Sequence, residues 1–338
     1  MFYKRSKSII SIISALVIFL CSLCIGCAND DLPPLQEPEV YTDFSVNYID
    51  VGQGDCIFIR LPDGKNLLID SGLNDGQLEN SNYIISILNQ YSVTNVDYFI
   101  LTHPDVDHIG NANDIINNFN VGTVYLPIIS NSLIDEFPQY KATLDLIEQK
   151  QIQRVTSDYT CSISGEDYVL AFLSPLPVGV KGSSYAELEG SFFPTDRQIN
   201  DLSPIIYFEC FDKRFVFTGD ATSSQEKIVL DNYNAGIYDL LYKNSGINVD
   251  LSYIDYLKVS HHGADGATSQ DFLYALRPKN FIISVGKENF YGHPKSEVLE
   301  RILITCPEST LYRTDQVGTI TLHKDDEGNM VVSTIKQN

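Results

Sequence analysis

Positive charge is what this 338-residue chain has least of: 23 lysines and arginines stand against 44 aspartates and glutamates, a formal net charge of −21. A protein that tracks long nucleic acid ordinarily presents a basic stripe, because neutralising phosphates supplies most of its sequence-independent affinity. No such stripe occurs here, so any polynucleotide contact is short, and small phosphodiesters or substrates without phosphate fit the charge balance as well. An acidic surface is equally what an exported soluble domain carries. Cysteine is sparse and unpatterned. Beyond Cys27 the chain has Cys56, Cys161, Cys210 and Cys306, widely spaced in a large body, which fits buried free thiols and disulfides alike. There is no internal repeat, which with alternating strand and helix signals argues for one α/β unit.

The few basic residues begin at the N-terminus. Lys4, Arg5 and Lys7 precede an apolar run from Ile9 to Ile25 that closes on Ile25-Gly26-Cys27. Charged, apolar and small-residue segments in that order make an export signal. Residues 1–27 also resemble a bacterial lipoprotein signal, which would make Cys27 the lipidated first residue of the mature chain; Cys24 stands where such signals favour leucine. An uncleaved anchor is the alternative, and either one tethers the remainder outside the cytoplasmic membrane. Losing Lys4, Arg5 and Lys7 with the signal takes the charge to −24. Residues 28–42, rich in Asp, Glu and Pro, read as a solvated linker. Residues 43–338 are then the folded domain, long enough to bury a sizeable core.

Histidine is scarce too, and its six positions are telling. The run Leu101-Thr-His-Pro-Asp-Val-Asp-His-Ile-Gly110 follows the apolar strand Val96 to Leu101, with a helix expected from Ile109 onward. His103, Asp105, Asp107 and His108 therefore fall on the connecting loop, where several ligands can be aimed at one point. His261 and His262 follow the strand-like Tyr256 to Ser260, and His293 sits in Tyr291-Gly-His-Pro294; only His323 has no such setting. Acidic residues close other strands. Phe215-Val-Phe-Thr-Gly-Asp220 ends on a carboxylate, as does Asn66-Leu-Leu-Ile-Asp70, although Asp70 alone reads as a turn residue.

The ordered set Asp50-Val-Gly-Gln-Gly-Asp55, Leu68-Ile-Asp-Ser-Gly72, His103-x-Asp-x-Asp-His108, Thr218-Gly-Asp220, Ser260-His-His-Gly263, Tyr291-Gly-His-Pro294 and Arg313-Thr-Asp315 resembles the metallo-β-lactamase superfamily. It is most similar to the hydrolase domain of ComEC-type DNA-uptake proteins, over about Phe44 to His323. The resemblance implies a four-layer αββα sandwich with a metal site at the mouth between two sheets. It makes His103, Asp105, Asp107, His108, Asp220 and His261 or His262 the metal ligands, with Asp220 as bridge. The superfamily's commonest pattern has His at Asp105 and a further His before the bridging Asp, whereas no histidine lies between His108 and His261 here. The first ion loses two imidazoles relative to that pattern, and the Asp substitution resembles that of ComEC-type domains. Such an oxygen-rich site shifts preference from zinc toward manganese, and occupancy by a single ion becomes an option beside two.

A divalent ion acidifies its bound water, and hydrolysis is the natural reaction. Asp107 and His108 would hold the water-bearing ion, making Asp107 a catalytic residue. His293 is a candidate phosphate donor or general acid, with a hydrogen-bonded turn histidine as the other reading. Asn200 and Ser203 match a substrate-binding element near the site in the family. These expectations point to an extracytoplasmic phosphodiesterase or nuclease of ComEC type. The alternatives are a hydrolase of a lactone, thioester or other non-phosphate ester, and a metal-binding protein with a vestigial site, against which the full ligand set counts. These 338 residues show no multi-helix membrane channel like that of full-length ComEC proteins, so translocation of DNA by this chain itself is not expected. Helices are expected at 81–90, 133–150, 223–232, 268–276 and 296–303, and insertions bordering the cleft at 179–199 and 234–254.

Overall fold

The computed structural model describes residues 43–74, 80–130, 133–185 and 195–336, which belong to one compact unit. Its frame is two sheets. The first holds β1 (Ser45–Tyr48), β2 (Ile57–Arg60), β3 (Asn66–Ile69), β4 (Asn95–Ile100), β5 (Asn120–Leu126), β6 (Gln153–Thr156), β14 (Thr319–Lys324) and β15 (Met330–Ile335), in the order β15-β14-β1-β2-β3-β4-β5-β6. The second holds β7 (Ser162–Ser164), β8 (Tyr168–Phe172), β9 (Ile206–Cys210), β10 (Lys213–Phe217), β11 (Tyr256–Lys258), β12 (Asn280–Ile283) and β13 (Thr310–Arg313), in the order β13-β12-β11-β10-β9-β8-β7. Strands β3 to β6 are mutually parallel, and so are β10 to β13.

The strands read as apolar runs because both faces of each sheet are covered. In β10, Phe215 and Phe217 point into the layer between the sheets while Val216 faces the outer helices; in β2, Ile57 and Ile59 point inward and Phe58 outward. The inner layer is aromatic-rich, with the Phe215 ring stacked on Tyr256 at 5.1 Å and tilted against Phe208 at 5.4 Å. Helices Asn80–Gln90, Ala112–Asn118 and Pro138–Gln149 cover the first sheet through Ile84, Leu88, Ile115, Ile116 and Ile147. Helices Ser223–Asn234, Gln270–Leu276 and Ser296–Thr305 cover the second through Val229, Leu273, Leu276, Val298 and Ile302. Helix, sheet, sheet, helix is the expected four-layer αββα sandwich.

Several local expectations are refined. The helix expected over 133–150 is split into a 3-10 turn, Ile134–Glu136, and the helix from Pro138. Proline lacks an N–H and disfavours the helical region at the residue before it, so it starts the second segment. Asp107 and His108 lie not on an open loop but inside a single-turn helix, Val106–Ile109, which ends before Ala112–Asn118 begins. Residues 234–254 form part of the outer layer of the second sheet: Tyr238 and Tyr242 are buried, and their hydroxyls lie 2.7 Å from the Leu173 and Phe172 carbonyls. All four cysteines of the described residues are free thiols. Residues 186–194 of the other expected insertion, like Cys27, the export signal and the linker, lie outside the described residues.

Candidate metal centre

Most of the cluster's polar residues come from the carboxyl ends of parallel strands, Asp55 in the turn before β2 being an exception. Asp70 follows β3, His103 and the single-turn helix follow β4, Asp220 follows β10, the His261–His262 pair follows β11, and the loop to His293 follows β12. Strand ends at which successive crossovers leave the sheet are where α/β folds leave a crevice. Gly54, at φ +127°, lets the adjacent turn press on this region, since a Cβ there would collide with the Asp107 carbonyl; the Asp55 N–H donates to that same carbonyl at 3.2 Å. His261 and His262 both have left-handed backbone, at φ 49° and 53°. Their turn is closed from outside: the buried Glu226 carboxylate accepts the Ser269 N–H at 2.8 Å, and Thr268 Oγ1 accepts the Ser260 N–H at 3.2 Å.

Four side chains converge. His108 Nε2 lies 3.3 Å from His262 Nε2 and 3.3 Å from Asp220 Oδ1, and His262 Nε2 lies 3.5 Å from both Asp107 Oδ2 and Asp220 Oδ2. Ligand atoms held about 2.0–2.2 Å from a tetrahedral ion are roughly 3.3–3.6 Å apart, and side chains here fall into groups close enough for an ion, Asp107–His108–His262 and His103–His108–Asp220, which share His108. The far nitrogens are already committed. His108 Nδ1 is 2.8 Å from Asp70 Oδ2, and His262 Nδ1 is 2.8 Å from the Ser284 carbonyl. A proton on each Nδ1 fixes the tautomer whose Nε2 lone pair faces the centre, the usual support of a metal-binding imidazole. Asp70 is itself pinned by the Thr102 N–H at 2.8 Å and Thr102 Oγ1 at 2.7 Å. His103 Nε2, Asp220 Oδ1 and Asp55 Oδ1 are buried without a hydrogen bond. Orphaned acceptors in a His/Asp pocket are costly unless a cation takes them, so the residues fit a divalent ion.

The charges point the same way. Burial alone would raise the Asp107 carboxyl, but His108 and His262 hold it well below the ordinary range. Burial likewise works against an ionised Asp220, and His262, His108 and His261 override it. His108 is the converse: burial would lower it, yet Asp220, Asp70 and Asp107 push it well above its usual value. These imidazoles thus gather the positive charge the carboxylates call for, which a metal ion would supply instead while displacing protons. Burial, with His261 and His262 close by, pushes His293 down to about 4.

The other expected residues fall around this centre. His103 is fully buried, with Nδ1 3.1 Å from Thr102 Oγ1 and 3.2 Å from Ser203 Oγ. Asp105 stands at the rim, 3.5 Å from His103 Nε2 with its side chain 41% exposed. His261, 30% exposed, reaches Asp220 Oδ2 at 3.6 Å, whereas His262 is 1% exposed and sits inside the cluster. Asn200 Nδ2 lies 3.3 Å from His261 Nδ1, and Ser203 Oγ also accepts the Asp220 N–H at 3.2 Å. His293 packs edge-on to His261 with ring centres 5.7 Å apart. Three residues escaped the sequence reading as site members. Asp70 looked like a turn; Asp55 lay in a quoted motif without a role; and Lys258, fully buried with Nζ 2.5 Å from Asp55 Oδ2, passed as a strand residue. A lone ammonium inside an apolar strand was the available signal.

Residues 49–287, more than half of the chain, match the model of the metallo-beta-lactamase superfamily, and the chain belongs to that superfamily. With the His/Asp cluster in place at the mouth of the sandwich, it is a metal-dependent hydrolase. Among curated relatives it is similar to ComE operon protein 3 of Bacillus subtilis, 28% identical over 301 residues, which are 84% of this chain and 33% of that protein. It is also similar to Recombination protein 2 of Haemophilus influenzae, 24% identical over 266 residues, 77% of this chain and 26% of that protein. The chain therefore spans only a minor part of each relative's length. Among solved structures, CmlA, a diiron beta-hydroxylase from Streptomyces venezuelae, shares the fold with a TM-score of 0.50 and 17% identity, over 85% of this chain and 55% of that one.

Proposed function

We propose that this protein is an extracytoplasmic, manganese- or zinc-dependent phosphodiesterase or nuclease of ComEC type. The observation that carries the reading is the convergence of His and Asp side chains into groups close enough to hold an ion, Asp107–His108–His262 and His103–His108–Asp220, around committed Nδ1 partners. His103, Asp107, His108, Asp220 and His262 would hold the metal, with Asp105 at the rim beside His103 and His261 beside Asp220. A divalent ion there supplies an acidified water and positive charge for the oxygens of a phosphoester. The chain's own groups do the rest. Asp107 and Asp220, kept ionised by the flanking imidazoles, orient the water and accept from it. Neutral His293, pushed down to about 4, binds a phosphate oxygen as a hydrogen-bond donor and is a poor proton donor at neutral pH. Asn200 and Ser203 face the same opening and serve substrate or imidazole placement.

Carboxylates stand beside the imidazoles at the centre, with Asp105 where the superfamily's commonest pattern has His, which suits hard ions and oxygen-ligated phosphate. Similarity to the two competence and recombination proteins favours a phosphodiester over a lactone or thioester. The test is a side-by-side panel with manganese: bis-p-nitrophenyl phosphate and single-stranded DNA against a lactone, a thioester and a β-lactam. Phosphodiester cleavage faster than the rest is expected. Lactone or thioester turnover without phosphodiester cleavage would install the ester-hydrolase reading instead. Placement outside the cytoplasmic membrane rests on residues 1–27, with Cys27 as the lipidated residue. Cys27→Ser should release or misprocess the protein, and wild-type fractionation of that variant would remove the anchor from the proposal.

A further inference from the structure

The motif Tyr291-Gly-His-Pro294 enters the functional reading above only through His293, yet its first residue is a large ring left open at the same mouth. Tyr291 is 63% exposed, and the Phe290 ring before it is fully exposed. Tyr291 is stacked on His293, with ring centres 5.7 Å and planes 9° apart, and His293 in turn packs on His261. Partial burial, then the carboxylates of Asp107, Asp105 and Asp196, raises the Tyr291 hydroxyl above its usual value, which sets the ring near the acidic rim of the centre. Val106, exposed on the single-turn helix between Asp105 and Asp107, adds apolar surface to that rim. The loop that carries the ring is held firmly. Asn289 Nδ2 donates to the Gly286 and His293 carbonyls at 2.9 and 2.8 Å, and its Oδ1 accepts the His293 N–H at 2.9 Å. Lys295 Nζ donates to the Tyr291 carbonyl at 2.6 Å, and the Lys295 N–H ties the loop to the histidine turn through the Gly263 carbonyl at 2.9 Å.

We infer that Tyr291 is the platform on which a nucleobase stacks while the adjoining phosphodiester lies at the metal centre, so that the substrate is a nucleotide-bearing phosphodiester held by its base as well as its phosphate. Contiguous exposed apolar surface beside a reactive centre marks a binding surface. A ring already ordered by its loop loses little conformational freedom when a ligand covers it. The charge balance calls for such a contact. At a net charge of −21, neutralisation of phosphates by basic side chains supplies little affinity, whereas stacking on a neutral ring does not depend on charge. Every base has a π face, so the contact tolerates any sequence. Because Tyr291 rests on the same imidazole that binds a phosphate oxygen in the reading above, base and phosphate of one nucleotide reach their partners together.

This inference rests on the phosphodiesterase reading and is tested apart from it. The manganese-loaded full-length chain is given short single strands of thymidylate and abasic strands of the same length and charge. Wild type should cleave the base-bearing strand with a kcat/KM roughly 5- to 150-fold higher, the range stacking on one aromatic ring provides. Tyr291→Ala should bring that ratio close to one, and Tyr291→Phe should keep it, since the ring and not the hydroxyl is used. The chain has no tryptophan, so Tyr291→Trp places a single indole at the mouth, whose fluorescence should be quenched on mixing with thymidylate and not with the abasic strand. If Tyr291→Ala cleaves neither strand because His293 has moved, the indole decides: quenching by thymidylate alone supports the inference, and equal or absent quenching overturns it. Equal cleavage of both strands by wild type, or a ratio that survives Tyr291→Ala, would also overturn it while leaving the phosphodiesterase reading intact. Cleavage of neither strand by wild type would overturn both.

Discussion

Imidazole chemistry at single residues decides what this centre can hold. His108 and His262 each spend Nδ1 on an oxygen and turn Nε2 inward, so the pocket presents lone pairs and carboxylates to the same point. His293 differs: its Nδ1 is buried without a partner, and burial beside His261 and His262 pushes it down to about 4. The unfolded chain therefore takes up this proton near pH 6.5 and the folded chain only near 4. Between those values the unfolded state binds more protons, so this residue's contribution to stability rises with pH across the window and is lost on acidification. His108 and His262, shifted upward, act in the opposite sense. Comparing wild type with His293→Asn isolates the first effect. The variant should melt higher than wild type below about pH 6 and match it above pH 7; a melting difference that does not change with pH would contradict the assignment.

At the scale of elements, much of the architecture was legible because strands covered on both faces leave continuous apolar runs. Phe215-Val-Phe217 and the strand before His103 were readable in that way, and Asp220 and His103 then had to lie at sheet ends. Less legible was anything set by contacts distant in sequence. The short helix carrying Asp107 and His108 is stabilised by bonds from the His108 and Ile109 N–H groups to the Asp105 carbonyl, in a stretch too short to show helical periodicity. The choice between His261 and His262 depends on the Ser284 carbonyl, and the membership of Asp70 on Thr102 and His108. Gly54 is an element-scale hinge of this kind. Gly54→Ala combines a disfavoured φ with a collision against the Asp107 carbonyl, so it should cost more than about 1 kcal/mol of stability. It should also weaken manganese binding, since the single-turn helix must move. Chemical denaturation and metal titration read both; unchanged metal affinity would show that the turn does not set the position of Asp107.

For the whole molecule, the sandwich places the ends of two parallel strand sets at one mouth, so residues as far apart in sequence as Asp55, His108, Asp220 and His262 meet in one buried cluster. The chain as a whole carries a formal net charge of −21, which suits a small or short substrate and a centre that draws in cations. The central claim is that this cluster is a metal centre, and metal content tests it most directly. Elemental analysis of the purified chain after dialysis against manganese should find at least one ion per chain. Asp107→Asn and His108→Ala should lose that ion and all hydrolysis while keeping the wild-type circular dichroism spectrum, because the core is built elsewhere. A wild-type chain that retains no ion after manganese or zinc loading, or an Asp107→Asn variant that turns over at the wild-type rate, would contradict it.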